Sequence, residues 1–542
     1  DFKAENLVKF NSLIRNQNNA WIRLNQIQDY KLKDYPNSKF RKLLKVGVDD
    51  NDMWKLLWLP PSIPYYPGMG VYQGKENLSK VLIFSKWVMV PKMIAGLVSY
   101  EVERRTIGNP NYFRDIHAKY SIKGKRISNR DTDELEDVGR RKPLPILRLQ
   151  RKMGKASSMR TFTLLYPSKT LCDLFDITNN IDSNKHYKTK REKYVELLKT
   201  ELQRLKNYEQ SNLPVDKNWY WAAPILLDKI SNSTYYKGWI YKLTTHPITK
   251  KENKRNGGKD NLAAITHLEE IQKLYLTAEN LNQLGLMPND LAKVLVDIAL
   301  GSPANCLYKC FRRYHNEEES SFEILNKALE LAYDFMLFFD KPESIAAVQI
   351  NEQEKDNRFK ENKDKTDIQW NLVLRYCIDG NLQSVLDEYC HLLSSKNRTI
   401  TDLAEAIASG LNLRTSTVKI EGIENDHSSD LNYKLLRCHY AVSFGNQNLE
   451  TEEGKSRASD VISNFNSPFR PFVLASTSLG QEGLDFHFYC RKIMHWNLPY
   501  STVEFEQREG RINRYKGLVI RQNLAAKYKM ELQLTRDIWD EL

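Results

Sequence analysis

Two arginines near the end of the chain have a spacing that suits one kind of chemistry. Arg511 and Arg514 lie three residues apart, Gly510 directly precedes the first, and Gln507 lies three residues before Gly510. We expect both arginines on an incipient helix that reaches across a cleft to a nucleotide held by a facing domain. A guanidinium delivered in this way stabilises the charge that spreads over the γ-phosphoryl oxygens during phosphoryl transfer. The pattern therefore predicts an arginine finger.

A second pattern lies just ahead of the arginines. The stretch Leu474–Asp485 reads Leu-Ala-Ser-Thr-Ser-Leu-Gly-Gln-Glu-Gly-Leu-Asp, and we expect a buried strand over Ile493–Pro499 between it and the arginines. The two patterns resemble motifs V and VI of superfamily 2 helicases and translocases, in the same order along the chain. They are most similar to bacterial Swi/Snf-like helicases, which carry an acidic residue where this chain has Glu482.

A third pattern lies far upstream. Lys80–Ser85 is a short apolar run that ends in a small polar residue, and a helical pattern follows as far as Arg105. Such a run predicts a strand buried in a parallel sheet. Alone it would fit any strand-helix unit, but beside the other two patterns it resembles motif IV, the first strand of the second RecA-like lobe. The resemblance implies an α/β fold, with a RecA-like parallel sheet, helices on both faces and a large, mainly α-helical insertion.

The resemblance to motif VI implies roles for its residues. Arg511 and Arg514 would meet the γ-phosphate, and Gln507 would help to arrange nucleotide or water. Gly510 would let the start of the helix pass close to the neighbouring strand. Arg508 occupies a variable position of the motif, where we expect a surface or intramotif ion pair. The chain departs from the family at Asn513 and at Tyr515-Lys516-Gly517, which leaves the type of substrate open.

The resemblance to motifs IV and V implies a nucleic-acid contact and a link to the nucleotide. Ser476 and Thr477 of motif V would contact the nucleic-acid backbone. Gly480 and Gly483 would permit the tight turn, and Asp485 would couple this loop to the nucleotide cleft. The nucleic-acid contacts implied are therefore Ser85, Ser476, Thr477 and Gly480, and the nucleotide contacts are Gly483, Asp485 and Gly510.

A complete motor of this kind also needs a first lobe that holds ATP and Mg²⁺ through a phosphate loop and an acidic motif. The nearest approach here, Gly70–Lys75, has the wrong spacing, and Glu76 stands where a Ser or Thr is required. The acidic run Asp133–Glu136 has no apolar strand before it and is typical of a solvated loop. The chain begins with Asp1 rather than Met, so we expect a part of a longer protein. Alone it should not hydrolyse ATP.

The motif positions predict how the chain is organised. Motifs IV to VI line a single lobe in the family, so the residues between motifs IV and V must be inserted into that lobe. The predicted divisions are a helical linker and Pro/aromatic segment over 1–77, the first part of the lobe over 78–110, the insertion over 111–432, the second part over 433–525, and a C-terminal helix over 526–542.

The composition agrees with a nucleic-acid partner and with a cytoplasmic location. A formal net charge of +13 and a pI near 9.1 favour a polyanion. The 7 cysteines form no disulfide framework, which indicates a reducing compartment. No apolar stretch is long enough to cross a membrane, so we expect no membrane partner. Cys306, Cys310 and His315 invite a metal site, but no fourth ligand is apparent, and buried helix thiols are favoured.

Three stretches of the insertion have either a functional interpretation or an ordinary structural one, as a loop or as part of the core. Lys119–Lys155 carries 12 Lys/Arg against 5 Asp/Glu, which fits either a nucleic-acid-contacting arm or a solvated loop. Trp219-Tyr220-Trp221 could stack on unpaired bases, although such clusters are more often core. Thr249–Asp260 is charged and without periodicity, and we expect a loop there.

Three classes of function remain open. An ATP-driven helicase or translocase on double-stranded DNA is favoured, with the phage-defence systems of bacteria as a setting suggested by the resemblance. An RNA helicase or RNA-polymerase remodeller of the same superfamily is the second class. The third is a catalytically silent scaffold whose helical insertion recruits a protein partner, and the presence of both Arg511 and Arg514 weighs against it.

Overall fold

The computed structural model describes most of the chain in thirteen stretches. They are residues 24–109, 147–176, 187–255, 262–277, 284–314, 320–355, 365–394, 398–412, 416–423, 431–445, 452–477, 484–528 and 538–541. The strands are β1 (Lys80–Ser85), β2 (Arg151–Lys152), β3 (Lys155–Ala156), β4 (Ser416–Ile423), β5 (Leu431–Cys438), β6 (Ala441–Phe444), β7 (Val473–Thr477) and β8 (Cys490–His495).

The described α-helices follow in chain order. They are α1 (Leu24–Gln28), α2 (Ser38–Leu44), α3 (Met89–Arg105), α4 (Lys169–Leu174), α5 (Tyr187–Leu202), α6 (Trp219–Tyr241), α7 (Ile248–Arg255), α8 (Ala263–Thr277), α9 (Leu291–Gly301), α10 (Pro303–Tyr314), α11 (Ser321–Phe339), α12 (Pro342–Lys355), α13 (Lys365–Asp379), α14 (Leu382–Leu393), α15 (Ile400–Leu411), α16 (Glu452–Phe465), α17 (Thr502–Gly510), α18 (Leu518–Tyr528) and α19 (Ile538–Glu541). The protein is therefore a mixed α/β protein.

The described residues pack as two compact units, each assembled from separate stretches of the chain. The first unit takes its described residues from Asp1–Leu57, Ser79–Leu144 and Leu413–Leu518. The second takes them from Trp58–Leu78, Pro145–Asn412 and Val519–Leu542. The chain therefore passes from one unit to the other several times.

A four-stranded parallel sheet lies at the centre of the first unit. The strand order is β6-β7-β1-β8, so β1 pairs with β7 on one side and with β8 on the other. Every residue of β1 and of β7 is buried. Such burial on both faces is typical of central strands in parallel sheets, and it explains the apolar runs Val81–Phe84 and Val473–Ala475. The motif assignment requires Lys80–Phe84 and Pro471–Ser476 to lie in one parallel sheet, and the pairing of β1 with β7 confirms this.

Helices flank this sheet because successive strand residues point to opposite faces. Leu82, Phe84 and Leu474 belong to a buried cluster that includes Phe465 of α16. On α3, the hydroxyl of Ser99 accepts a hydrogen bond from the backbone N–H of Ala441 at 3.1 Å, which fixes this helix to β6. The antiparallel pair β4 and β5 lies against α3 and leads directly into β6.

The second unit is built mainly of helices. It contains α4 to α15, together with the short hairpin of β2 and β3. Its largest fully buried side chains include Trp58, Trp219, Trp239 and Tyr308. The Pro/aromatic stretch around Trp58 belongs to this core, since the indole N–H of Trp58 donates to the carbonyl of Gly380 at 2.9 Å.

Candidate functional site

The predicted nucleic-acid contacts lie at the carboxyl edge of the sheet. Ser85 is the last residue of β1, and Thr477 is the last residue of β7. The two residues are direct partners across the parallel pair, and Ser476 is the partner of Phe84. Carboxyl ends of parallel strands meet at one edge of a sheet, which is the usual place for ligands in open α/β sheets. The fourth predicted contact, Gly480, lies outside the described residues.

The three hydroxyls at this edge are buried and contact the protein itself. Ser85, Ser476 and Thr477 are 1%, 0% and 3% exposed. The hydroxyl of Ser85 donates to the side-chain oxygen of Asn497 at 3.2 Å and accepts from the backbone N–H of Trp87 at 3.1 Å. These bonds hold the ends of the strands in place. A contact between these side chains and a nucleic-acid phosphate stays a prediction.

Helix α17, which precedes the arginines, begins after Ser501 and ends at Gly510. The hydroxyl of Ser501 caps α17 by accepting from the backbone N–H of Glu504 at 3.2 Å. The helix ends at Gly510, so Arg511 is its C-cap residue and Arg514 lies beyond it. The expectation that the arginines lie on an incipient helix is therefore wrong, because the helix that starts at the Ser501 cap ends at Gly510, before both arginines.

The role predicted for Gly510 is also wrong. Gly510 is the last residue of α17, not part of a helix start, and a Cβ atom placed on it would meet no other atom within 4 Å. No neighbouring strand in the described part of the chain passes close enough to require a glycine here. The strand predicted over Ile493–Pro499 is β8, which begins earlier, at Cys490, and ends at His495.

The arginines of the predicted finger are tied to the segment that follows the predicted motif V loop. The Nη1 atom of Arg511 donates to the carbonyl of Leu484 at 3.2 Å, and the carbonyl of Arg511 accepts from the backbone N–H of Phe486 at 2.9 Å. The Nε atom of Arg514 lies 3.2 Å from Oδ1 of Asp485. The structure thus brings Asp485, Arg511 and Arg514 together, as one site requires.

These groups remain open to solvent. The side chains of Arg514 and Asp485 are 53% and 41% exposed. An ion pair between such exposed groups contributes little stability, so Arg514 can exchange its carboxylate for another anion at small cost. Gln507, in the same sequence motif, is also exposed, whereas Gly483 lies outside the described residues.

Sequence reasoning missed a buried group beneath these residues. Arg508 is 3% exposed, and its Nη2 atom lies 2.5 Å from a carboxylate oxygen of Glu504 in the same helix. Its guanidinium also lies 5.3 Å from the centre of the Phe84 ring. An ion pair within the motif was expected, but its burial was not. The spacing of four residues between Glu504 and Arg508 is a signal that could have indicated the pair.

His495 and Asn497 are the other two residues that sequence reasoning did not single out. The ring of His495 stacks on Phe505 of α17 with centroids 4.5 Å apart. Burial and the nearby charge of Arg508 lower the pKa of His495. Asn497 accepts a hydrogen bond from the backbone N–H of Lys86 at 3.3 Å. Both residues join the end of β8 to its neighbours.

The helical unit accounts for two other sequence patterns. Trp219 is fully buried, and its indole N–H donates to the carbonyl of Gly285 at 2.7 Å, so it belongs to the core and offers no stacking face. Cys306 and Cys310 lie on α10 with buried thiols, and burial raises the pKa of both. His315 lies outside the described residues. In the stretches that the structure describes, no group of three or more His, Cys, Asp or Glu side chains could hold a metal ion.

Two further observations concern the described chain as a whole. None of its described helices is both long enough and apolar enough to cross a membrane. Comparison of the chain with protein-family models, with curated proteins and with solved structures found no match.

Proposed function

We propose that this chain is the second motor lobe of an ATP-dependent helicase or translocase that acts on double-stranded DNA. The activity would belong to a protein that also supplies the first lobe, whose phosphate loop would hold ATP and Mg²⁺. A cytoplasmic location and a role in bacterial phage defence form part of the same proposal, and both rest on the sequence resemblance alone.

One observation carries the proposal. The strand with the motif IV pattern lies between the strands associated with motifs V and VI, although most of the chain separates it from them. Motifs IV to VI line a single lobe in the family that the sequence resembles, so their strands should share one sheet, and this pairing supports the resemblance. The same arrangement puts Arg511 and Arg514 against Leu484 and Asp485, where the motif V loop rejoins the described chain.

The geometry supports a division of labour between the two arginines. The carbonyl of Arg511 accepts from the backbone N–H of Phe486, which fixes its backbone, and its guanidinium donates to the carbonyl of Leu484, which orients the side chain. Arg514 pairs with an exposed carboxylate, so a phosphate oxygen can replace that partner. Asp485 would then sense whether the nucleotide is bound, because it gives up its cationic partner when Arg514 turns towards phosphate.

The test uses the complete protein, with both lobes. We expect Arg511→Ala and Arg514→Ala each to lower ATP turnover about a thousandfold or more, because each variant lacks a cation that stabilises the transition state. Nucleic-acid affinity should change little. Lys at either position should not restore turnover, since an ammonium cannot form the planar, forked contact of a guanidinium. Steady-state ATP hydrolysis and filter binding to duplex DNA measure the two effects.

A second variant should affect the response to nucleic acid more than basal ATP turnover. Thr477→Ala should loosen the coupling to nucleic acid and remove part of the nucleic-acid-stimulated turnover, while basal turnover falls far less than in the arginine variants. If both arginine variants hydrolysed ATP at the wild-type rate, the motor function would be ruled out and the scaffold function would be favoured.

A further inference from the structure

The first unit carries large apolar side chains in water at the carboxyl ends of β1 and β8. After β1, Trp87 is 64% exposed and Met89 is 60% exposed. After β8, Leu498 is 74% exposed and Tyr500 is 92% exposed. We call Trp87, Met89, Leu498 and Tyr500, together with Lys86, the aromatic edge. Aromatic side chains concentrated on a surface in this way are typical of a binding site.

The two loops that form the aromatic edge are joined to each other. The Nζ atom of Lys86 lies 3.0 Å above the centre of the Tyr500 ring. The side-chain oxygen of Asn497 accepts from the hydroxyl of Ser85 and from the backbone N–H of Lys86, so one side chain ties both loops together. The rings are therefore presented by a surface that is already organised before any ligand binds.

The local charge favours an anionic ligand. Helix α3 begins at Met89 with no side-chain cap and with no acidic residue in its first turn. An uncapped helix N-terminus attracts phosphate, and the ammonium of Lys86 lies beside it in sequence. The nearest carboxylate of α17 in sequence, Glu504, is already paired with the buried Arg508. A cation and a helix N-terminus next to flat rings form a surface complementary to a phosphate with an attached base.

We propose that the aromatic edge binds unpaired bases of a single-stranded nucleic acid. Trp87 and Tyr500 supply the stacking faces, and Lys86 and the first turn of α3 contact the adjoining phosphates. Bases inside a duplex have no free face, so only an unpaired segment can use both rings. This inference rests on the proposed function, in which the lobe acts on nucleic acid. It adds that the lobe holds an unpaired segment of that nucleic acid.

The experiment measures the binding of three fluorescent probes to the 542-residue chain by anisotropy. The probes are an oligo-dT strand, an abasic strand with the same number of phosphates, and a blunt duplex. Trp87→Ala and Tyr500→Ala should each weaken the binding of oligo-dT about tenfold or more, as expected when one base no longer stacks. Binding of the abasic strand should not change, and Trp87→Phe and Tyr500→Phe should retain most of the affinity.

Tyr241→Ala is the matched control, because Tyr241 is a 55% exposed tyrosine of the other unit and should have no effect. Equal affinity of the wild type for oligo-dT and the abasic strand would overturn the proposal. Unchanged oligo-dT affinity in both alanine variants would also overturn the proposal. If light scattering then showed that these variants self-associate differently from the wild type, the aromatic edge would be a protein-binding surface. Probe anisotropy does not depend on ATP turnover. A negative result here therefore rejects the binding of unpaired bases, whereas normal turnover in the arginine variants rejects the motor function.

Discussion

Asp228 is a buried carboxyl group whose ionisation is linked to folding. It lies on α6 with no exposed surface, and its Oδ1 atom accepts from the backbone N–H of Thr170 at 2.8 Å. Burial raises the pKa of Asp228 to about 6, although hydrogen bonds from Thr170, Ser168 and Tyr166 oppose the shift. The unfolded chain therefore releases this proton at lower pH than the folded chain. The contribution of Asp228 to stability therefore falls as pH rises from about 4 through about 6.

Asp228→Asn should remove this dependence on pH. The amide keeps an acceptor for Thr170 and carries no charge, so we expect the variant to be more stable than the wild type at pH 8 by about 3 kcal/mol. Below pH 4 the two proteins should be alike. Urea unfolding at a series of pH values measures the difference, and Asp34→Asn, at an exposed position, is the control. A variant that is less stable at pH 8 would show that the folded chain uses the carboxylate.

The sequence could indicate some residues of the candidate site and not others, for a physical reason. Asp485, Arg511 and Arg514 were predicted because their spacing along the chain reflects one local geometry, and the structure brings them together. Asn497 and the burial of Arg508 were not predicted. Their partners include Ser85 and Phe84 of β1, which lie far away in sequence and become neighbours only when the sheet forms.

At the scale of elements, a glycine at the end of β6 is required and a glycine at the end of α17 is not. Gly445 has φ +106°, and a Cβ atom on it would lie 2.4 Å from the hydroxyl oxygen of Thr477. Gly445→Ala should therefore lower the free energy of unfolding by about 1–3 kcal/mol, through backbone strain and the clash with β7. Gly510→Ala is the matched comparison, because its Cβ atom would meet nothing.

The comparison tests the role that the sequence motif implied for Gly510. We expect Gly510→Ala to leave the urea midpoint unchanged or to raise it slightly, because alanine favours a helix by about 1 kcal/mol over glycine. Destabilisation by Gly510→Ala greater than that by Gly445→Ala would support a close approach at Gly510 that the structure does not have.

Elements that depend on their own apolar pattern were predicted well, and elements that depend on tertiary partners were not. β1 coincides with the predicted strand Lys80–Ser85, because Val81–Phe84 are apolar without interruption. By contrast, the predicted loop Thr249–Asp260 contains most of α7. That helix has too few apolar residues to show a period. It is stabilised instead by the buried Ile248 and by Lys251, which pairs with Asp334 at 3.0 Å.

At the scale of the whole molecule, the boundaries of the compact units depend on contacts between residues far apart in sequence, which a local sequence pattern cannot reveal. The stretch 1–77 was predicted as a helical linker and a Pro/aromatic extended segment, and the described residues Trp58–Leu78 belong to the helical unit. The hydroxyl of Tyr65 donates to Asp387 at 2.7 Å, and the backbone N–H of Ser62 donates to Glu388 at 2.7 Å. Residues 111–432 were predicted as the insertion, whereas the described residues 416–423 and 431–432 belong to the unit that contains the sheet.

The net charge of the molecule makes a prediction about its binding to nucleic acid. The formal charge of +13 is spread over the chain, and the stretch Lys119–Lys155 concentrates part of it. Residues 119–146 lie outside the described residues. The described end of the stretch is the hairpin of β2 and β3, which presents Lys152 and Lys155 to solvent. If this hairpin contacts phosphates, each contact releases counterions and adds to the dependence of the affinity on salt.

Lys152→Gln combined with Lys155→Gln should weaken duplex binding and reduce the slope of log K against log salt concentration by about 1 for each phosphate that is no longer neutralised. Lys206→Gln combined with Lys217→Gln removes the same charge from other exposed positions of the same unit and is the control. Titrations between low and physiological salt separate the two cases, because a general reduction of charge would affect both pairs equally. An equal slope in the hairpin variant and the wild type would assign the described part of the basic stretch to the solvated surface. A smaller slope in the hairpin variant alone would place nucleic acid on the helical unit.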